Sequence, residues 1–91
     1  MTYRIIYERD VVRKDIPALP QQEAVRIEKA ITGKLTVLPE IFGKPLRGSL
    51  KHHWSLRVGS YRVVYRMTGN TVNIFAIELR PTVYETVKKR I

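Results

Sequence analysis

Ninety-one residues allow one small domain around one core, and a 44% apolar content is that of a folded chain rather than a basic disordered tail. Lysine and arginine number 17 against 8 acidic residues, a formal charge of +9, which points to a polyanionic partner. The absence of cysteine removes disulfides, thiolate chemistry and cysteine-based zinc sites, two adjacent histidines are too few for a metal centre, and no apolar run approaches the roughly 20 residues of a membrane helix.

The N-terminus alternates polar and apolar residues too early for a signal peptide, and the lack of cysteine fits a cytosolic (cytoplasmic) protein. Residues 3–7, rich in tyrosine and isoleucine, read as a first strand. Residues 8–16 suit a short helix, with Val12, Ile16 and Leu19 spaced four and three apart. Pro17 and Pro20 punctuate it, and Pro20 suits the first turn of a second helix. There Ala24, Ile27, Ile31, Leu35 and Leu38 make one apolar stripe that Pro39 ends. Gly33 weakens the middle by about 1 kcal/mol relative to alanine.

From residue 43 the period changes. Trp54, Leu56 and Val58 alternate with Ser55 and Arg57, then Gly59-Ser60 forms a glycine-first two-residue hairpin turn. Tyr61, Val63, Tyr65 and Met67 alternate with Arg62, Val64 and Arg66. Gly69-Asn70 is a second tight turn, and Val72 to Leu79 is a nearly continuous apolar strand of the kind found inside a sheet. Residues 81–90 suit a C-terminal turn or short helix. The expected fold is α+β in one domain, 1–91, with a helix hairpin and an antiparallel meander in a four-stranded sheet.

Between Ile41 and Ile77 there is no aspartate or glutamate, yet Lys44, Arg47, Lys51, Arg57, Arg62 and Arg66 lie there. A one-sign face on ordered strands repels itself unless an anion neutralises it. If Trp54, Leu56 and Val58 face the core, His53, Ser55 and Arg57 face outward. A two-residue hairpin places Arg57 opposite Arg62. His53, Arg57, Arg62 and Arg66 thus converge on an anion site. Arg80 closes the apolar strand, with Tyr84 four residues on. Such a pair suits a nucleotide, with the ring stacking on a base and the guanidinium on phosphate. The bland alternatives are solvated arginines and a tyrosine that merely anchors the C-terminus.

The run Gly43-Lys44-Pro45-Leu46-Arg47-Gly48, then Trp54 to Arg66, then Ala76 to Tyr84, resembles the RelE/ParE superfamily of bacterial and archaeal toxins. The resemblance covers the whole chain in element order and size. It implies a RelE-type ribosome-dependent endoribonuclease, in which a 2′-hydroxyl attacks the adjacent phosphate of messenger RNA in the ribosomal A site. It also implies a cognate antitoxin as partner, no cofactor and no metal. Carried over residue by residue, Arg62 stabilises the phosphorane, Arg80 lies near the phosphate and leaving group, and Tyr84 stacks on a base and orients the 2′-hydroxyl. Lys44, Arg47, Lys51, Arg57 and Arg66 would bind RNA. The family pattern has two lysines flanking the position of Trp54; here His53 and Ser55 stand there. That makes His53 the candidate base and Lys51 a substitute ammonium. Two other functions fit the same scaffold: a ParE-like inhibitor of DNA gyrase, and a non-catalytic basic RNA- or ribosome-binding module.

Overall fold

A computed structural model describes residues 2–91. The chain runs from strand β1 (Arg4–Tyr7) into a first helix, α1, over residues 9–18, whose centre Val11–Asp15 is wound as a wider π turn. Helix α2 follows over residues 21–35: Gln21–Ala30 is regular and Ile31–Leu35, around Gly33, is again π-wound. A single turn, α3 (Pro39–Phe42), leads to β2 (Lys44–Pro45), β3 (Trp54–Val58), β4 (Tyr61–Thr68), β5 (Thr71–Leu79) and the C-terminal helix α4 (Thr82–Arg90). Among the described residues, no helix is long and apolar enough to cross a membrane.

The α+β expectation holds, with a correction to the sheet. It has five strands in the order β1-β5-β4-β3-β2, not four. The extra strand is the two-residue β2, too short to show any alternation. β1 pairs parallel with β5, and every other pairing is antiparallel. Gly59-Ser60 and Gly69-Asn70 are two-residue hairpin loops, as Val58 pairs with Tyr61 and Thr68 with Thr71. Both glycines take positive φ, near 61°, which side chains resist. The α2 stripe buries Ile27, Ile31 and Leu35, but Leu38 is exposed because the helix has already ended.

Both faces of the sheet are covered. One face packs Leu56, Val58, Val63, Tyr65, Val72, Ile74 and Ile77 against Val11 and the α2 stripe. The other packs Val64 and Ala76 against Leu50 and, from α4, Val83 and Val87. A bulge links the two layers. Val64 pairs with Ala76 and Tyr65 with Ile74, so Phe75 is the extra residue. Phe75 and Ala76 both pack with the α4 cluster, and the alternation of β5 is reset beyond them. Glu78 therefore comes opposite Arg62.

β1 pairs with β5 only as far as Ile74. Beyond it, side chains take over the ladder's role. Asp15 accepts the Ile77 N–H at 2.9 Å, and Arg90 donates to the Phe75 carbonyl at 2.9 Å. The two side chains also meet in a bidentate pair, at 2.8 and 2.9 Å, with Asp10 a further 3.6 Å contact of Arg90. The Asp15 hydrogen bonds hold the Arg90 guanidinium above its ordinary pKa. Asp15 is buried, so the pair is shielded from water and depends on its hydrogen-bond geometry. Arg90→Ala should cost about 3 kcal/mol of stability in urea unfolding, because it strands a buried carboxylate. Asp15→Asn, which keeps an acceptor for Ile77, should cost less.

Candidate functional site

Five of the side chains singled out in the sequence, Lys44, Arg57, Arg62, Arg80 and Tyr84, line one cleft of about 440 Å³ together with Phe42, Pro45, Leu46 and Ser55. The sheet register explains this. Lys44 lies beside Ser55, and Arg57 pairs with Arg62 across the β3–β4 hairpin. The bulge in β5 sets the alternation that brings Arg80, just past the strand, to the side of Arg62. Tyr84 then enters from the first turn of α4.

The cleft is electrostatically one-sided. No aspartate or glutamate lines it, and among the described residues Lys44, Arg57, Arg62 and Arg80 form no ion pair. Arg62 gives one hydrogen bond to the Tyr61 carbonyl and Arg57 one to the Gly59 carbonyl, both at 3.3 Å, which leaves most of their donors free. The nearest acid along the sheet is Glu78, which accepts from the Thr86 hydroxyl and so ties β5 to α4. Guanidinium groups with free donors suit a phosphate group. Ser55 is only 8% exposed, and its Oγ has no hydrogen-bond partner among the described residues. It supplies a hydroxyl to the floor rather than a cation.

Not every candidate arrives. The expected solvated face does not hold for His53 and Ser55: both are buried, Ser55 at the cleft floor and His53 outside it. His53 is 4% exposed and lies edge-on to Phe75, ring centroids 5.1 Å apart. It does not line the cleft. Its Nδ1 lies 3.4 Å from the Lys51 carbonyl, and its Nε2 has no partner among the described residues. Burial lowers its pKa below the ordinary 6.5, and nearby Arg66 lowers it further against the Lys51 carbonyl. The expected convergence of His53 with Arg62 is therefore not seen, because the ring packs against Phe75 instead of facing the cleft. Arg47, Lys51 and Arg66 are exposed but lie outside the cleft lining, so the convergence of Arg66 with Arg62 does not extend into it.

The apolar wall formed by Phe42, Pro45 and Leu46 lies beyond the helical stripe that ends at Pro39 and has no periodic signature in the sequence. Its signal is of another kind: an aromatic residue that belongs to no helical stripe, directly before the basic segment. Among the described residues, no cluster of three metal-ligating side chains occurs.

Comparison with known proteins is consistent with this geometry. The model of the ParE toxin of the type II toxin–antitoxin system parDE matches residues 10–84. The chain belongs to the RelE/ParE superfamily of type II toxins. Toxin RelG of Mycobacterium tuberculosis is 34% identical over 74 residues, covering 79% of this chain and 85% of the relative. Toxin RelE of the same organism is 40% identical over 52 residues, covering 57% and 54% of the two chains. The fold superposes on the M. tuberculosis RelBE2 toxin–antitoxin complex with a TM-score of 0.81 at 30% identity, covering 88% of this chain and 93% of that one. An arginine-substituted E. coli toxin RelE in the free state superposes at 0.80 with 21% identity over 100% and 99% of the chains, a likeness of fold.

The depressed His53 pKa has a measurable consequence for the toxin. Between the folded and unfolded pKa values the unfolded chain binds more protons, so this contribution to stability is full above about pH 6.5 and is lost as pH falls below it. His53→Gln should flatten that acid slope in urea unfolding measured from pH 7.5 to 5, and should leave toxicity largely intact at neutral pH.

Proposed function

We propose that this toxin is a ribosome-dependent endoribonuclease that cuts messenger RNA by 2′-hydroxyl attack on the adjacent phosphate. The observation that carries the reading is the convergence of Arg57, Arg62 and Arg80 with Tyr84 in a cleft free of acidic side chains. Attack at phosphorus builds negative charge on the non-bridging and leaving oxygens. Preorganised guanidinium groups stabilise that charge more than they stabilise the ground state. Arg62, held on β4, faces the phosphorane. Arg80, held by the end of β5, faces the phosphate and leaving oxygen. Tyr84 stacks on a base and so aligns the 2′-oxygen with phosphorus. Lys44 and Arg57 hold the flanking phosphates.

With His53 buried, no histidine or carboxylate lines the cleft, so the chain's contribution is charge stabilisation and alignment. The 2′-proton leaves to solvent or to a group that the ribosome presents. The relatives solved as toxin–antitoxin complexes support a second part of the proposal: a cognate antitoxin binds this chain and neutralises it. The charge of +9 favours an acidic one. The match to the ParE toxin model supports a second reading, inhibition of DNA gyrase on the same scaffold, which would not need the cleft.

Arg62→Ala or Arg80→Ala should each lower cleavage of messenger RNA on programmed ribosomes by about 10²–10³, read by primer extension, with the fold intact. Arg66→Ala should do much less, because Arg66 lies outside the cleft. If both cleft variants remain as toxic as the parent and the parent blocks gyrase supercoiling, the gyrase reading replaces cleavage. The parent should co-purify with the product of the adjacent open reading frame, and failure to do so removes the antitoxin claim.

A further inference from the structure

We infer that the cleft contains a second nucleobase subsite, in which Phe42, flanked by Pro45 and Leu46, stacks on a base on the far side of the bound phosphate from Tyr84. This rests on the proposed reading of the cleft as an RNA site. Phe42 is 45% exposed and belongs to neither hydrophobic cluster of the fold. An aromatic side chain that packs no core, and lines a cationic cleft instead, has the form of a stacking platform.

The backbone that carries the ring is held on both sides. α3 is fixed from within by the buried Tyr65 hydroxyl, which donates to the Pro39 carbonyl. Gly43, next to Phe42, has no room for a side chain: a Cβ there would overlap the Tyr65 phenol. Immediately beyond, Lys44 and Pro45 are held by pairing with Ser55 and Trp54. The backbone on both sides of Phe42 is thus held while its ring is half-exposed. The Lys34 ammonium lies 5.5 Å from the ring centroid.

Sheet order gives the spacing. Arg80 follows β5, the segment of Phe42 leads into β2, and β4 and β3 lie between with Arg62, Arg57 and Ser55. Three inter-strand spacings of about 4.8 Å separate β5 from β2, about 14 Å in all. Tyr84, after β5, and Phe42, before β2, therefore line the cleft from opposite sides of the arginines, an arrangement that accommodates two neighbouring bases around one phosphate. The cleft volume of about 440 Å³ falls within the range of ligand sites. Ser55, buried and with an unpartnered Oγ on the floor, adds a hydrogen-bonding group that a polar ligand would engage. The exposed Val37, Leu38 and Ile41 nearby would also suit a protein partner. Phe42 differs from them in sharing a cleft with four cations.

The test measures binding of the full toxin to a short single-stranded RNA, made uncleavable by a 2′-deoxy substitution at the scissile position. It is run beside matched RNAs that each lack one base. Phe42→Leu should weaken the intact RNA about tenfold, within the range for loss of one base stack. It should leave unchanged the RNA abasic at one particular position, and Phe42→Trp should restore binding. The subsite is overturned if Phe42→Leu binds intact RNA like the parent, if it weakens intact and every abasic RNA alike, or if it weakens only an antitoxin peptide. Arg62→Ala separates the two claims: it should weaken all the RNAs equally. If it does so while Phe42→Leu has no effect, the subsite alone is wrong. If Phe42→Leu behaves as expected and Arg62→Ala does nothing, the phosphate reading is wrong. If the parent binds none of these RNAs, the subsite falls, whereas the ribosome-dependent reading stands or falls on the cleavage assay with programmed ribosomes.

Discussion

The architecture depends on how β5 is completed where β1 stops. A nine-residue strand beside a four-residue one would leave buried backbone groups without partners. Asp15 and Arg90 fill that gap by capping the Ile77 N–H and the Phe75 carbonyl while pairing with each other. One ion pair thereby joins the first helix, the central sheet and the last turn of α4. The geometry is tight enough to offset much of the desolvation of a buried carboxylate, which looser pairs do not achieve. Since α4 also carries Tyr84, a contact at the C-terminal end of the helix helps to hold the wall of the cleft at the other end.

The bulge at Phe75 is the second device. A regular strand would keep strict alternation, and residues 78 and 80 would then lie on the face covered by α1 and α2. The inserted residue reverses the parity, so Glu78 comes beside Arg62 and the chain leaves the strand with Arg80 at the cleft. The carbonyl that the bulge frees is the one Arg90 takes. Disruption of the ladder and construction of the site are thus the same local event.

Clustering Lys44, Arg57, Arg62 and Arg80 without ion pairs costs self-repulsion, most directly between the cross-strand partners Arg57 and Arg62. The scaffold tolerates this because the groups sit on paired strands, with the Tyr65–Pro39 hydrogen bond and the close approach at Gly43 fixing the adjoining segment. Like charges gathered on paired strands suit a multiply charged anion, which supplies the counter-charge that the cleft itself lacks.

Much of this was legible in the residues. Alternation from Trp54 to Met67, glycines at two tight turns and the long apolar run ending at Leu79 established the meander and the pairing of Arg57 with Arg62. The acid-free stretch announced the sign of the site, and the spacing of Arg80 and Tyr84 announced its rim. These are local properties: period, turn chemistry and charge are carried by neighbours in sequence. What only the tertiary structure decided was which side chains are buried and which meet. His53 alternates with core residues and so reads as outward-facing, but Leu50 and α4 pack on that face and His53 is buried against Phe75. The two-residue β2, the bulge at Phe75, the hold on the backbone beside Phe42 and the Asp15–Arg90 pair leave no periodic trace. Each joins segments far apart in the chain, and Asp15 and Arg90 are separated by 75 positions. Local pattern selects the elements, whereas the unmet hydrogen bonds and open faces those elements leave are satisfied only by whatever the folded chain brings beside them.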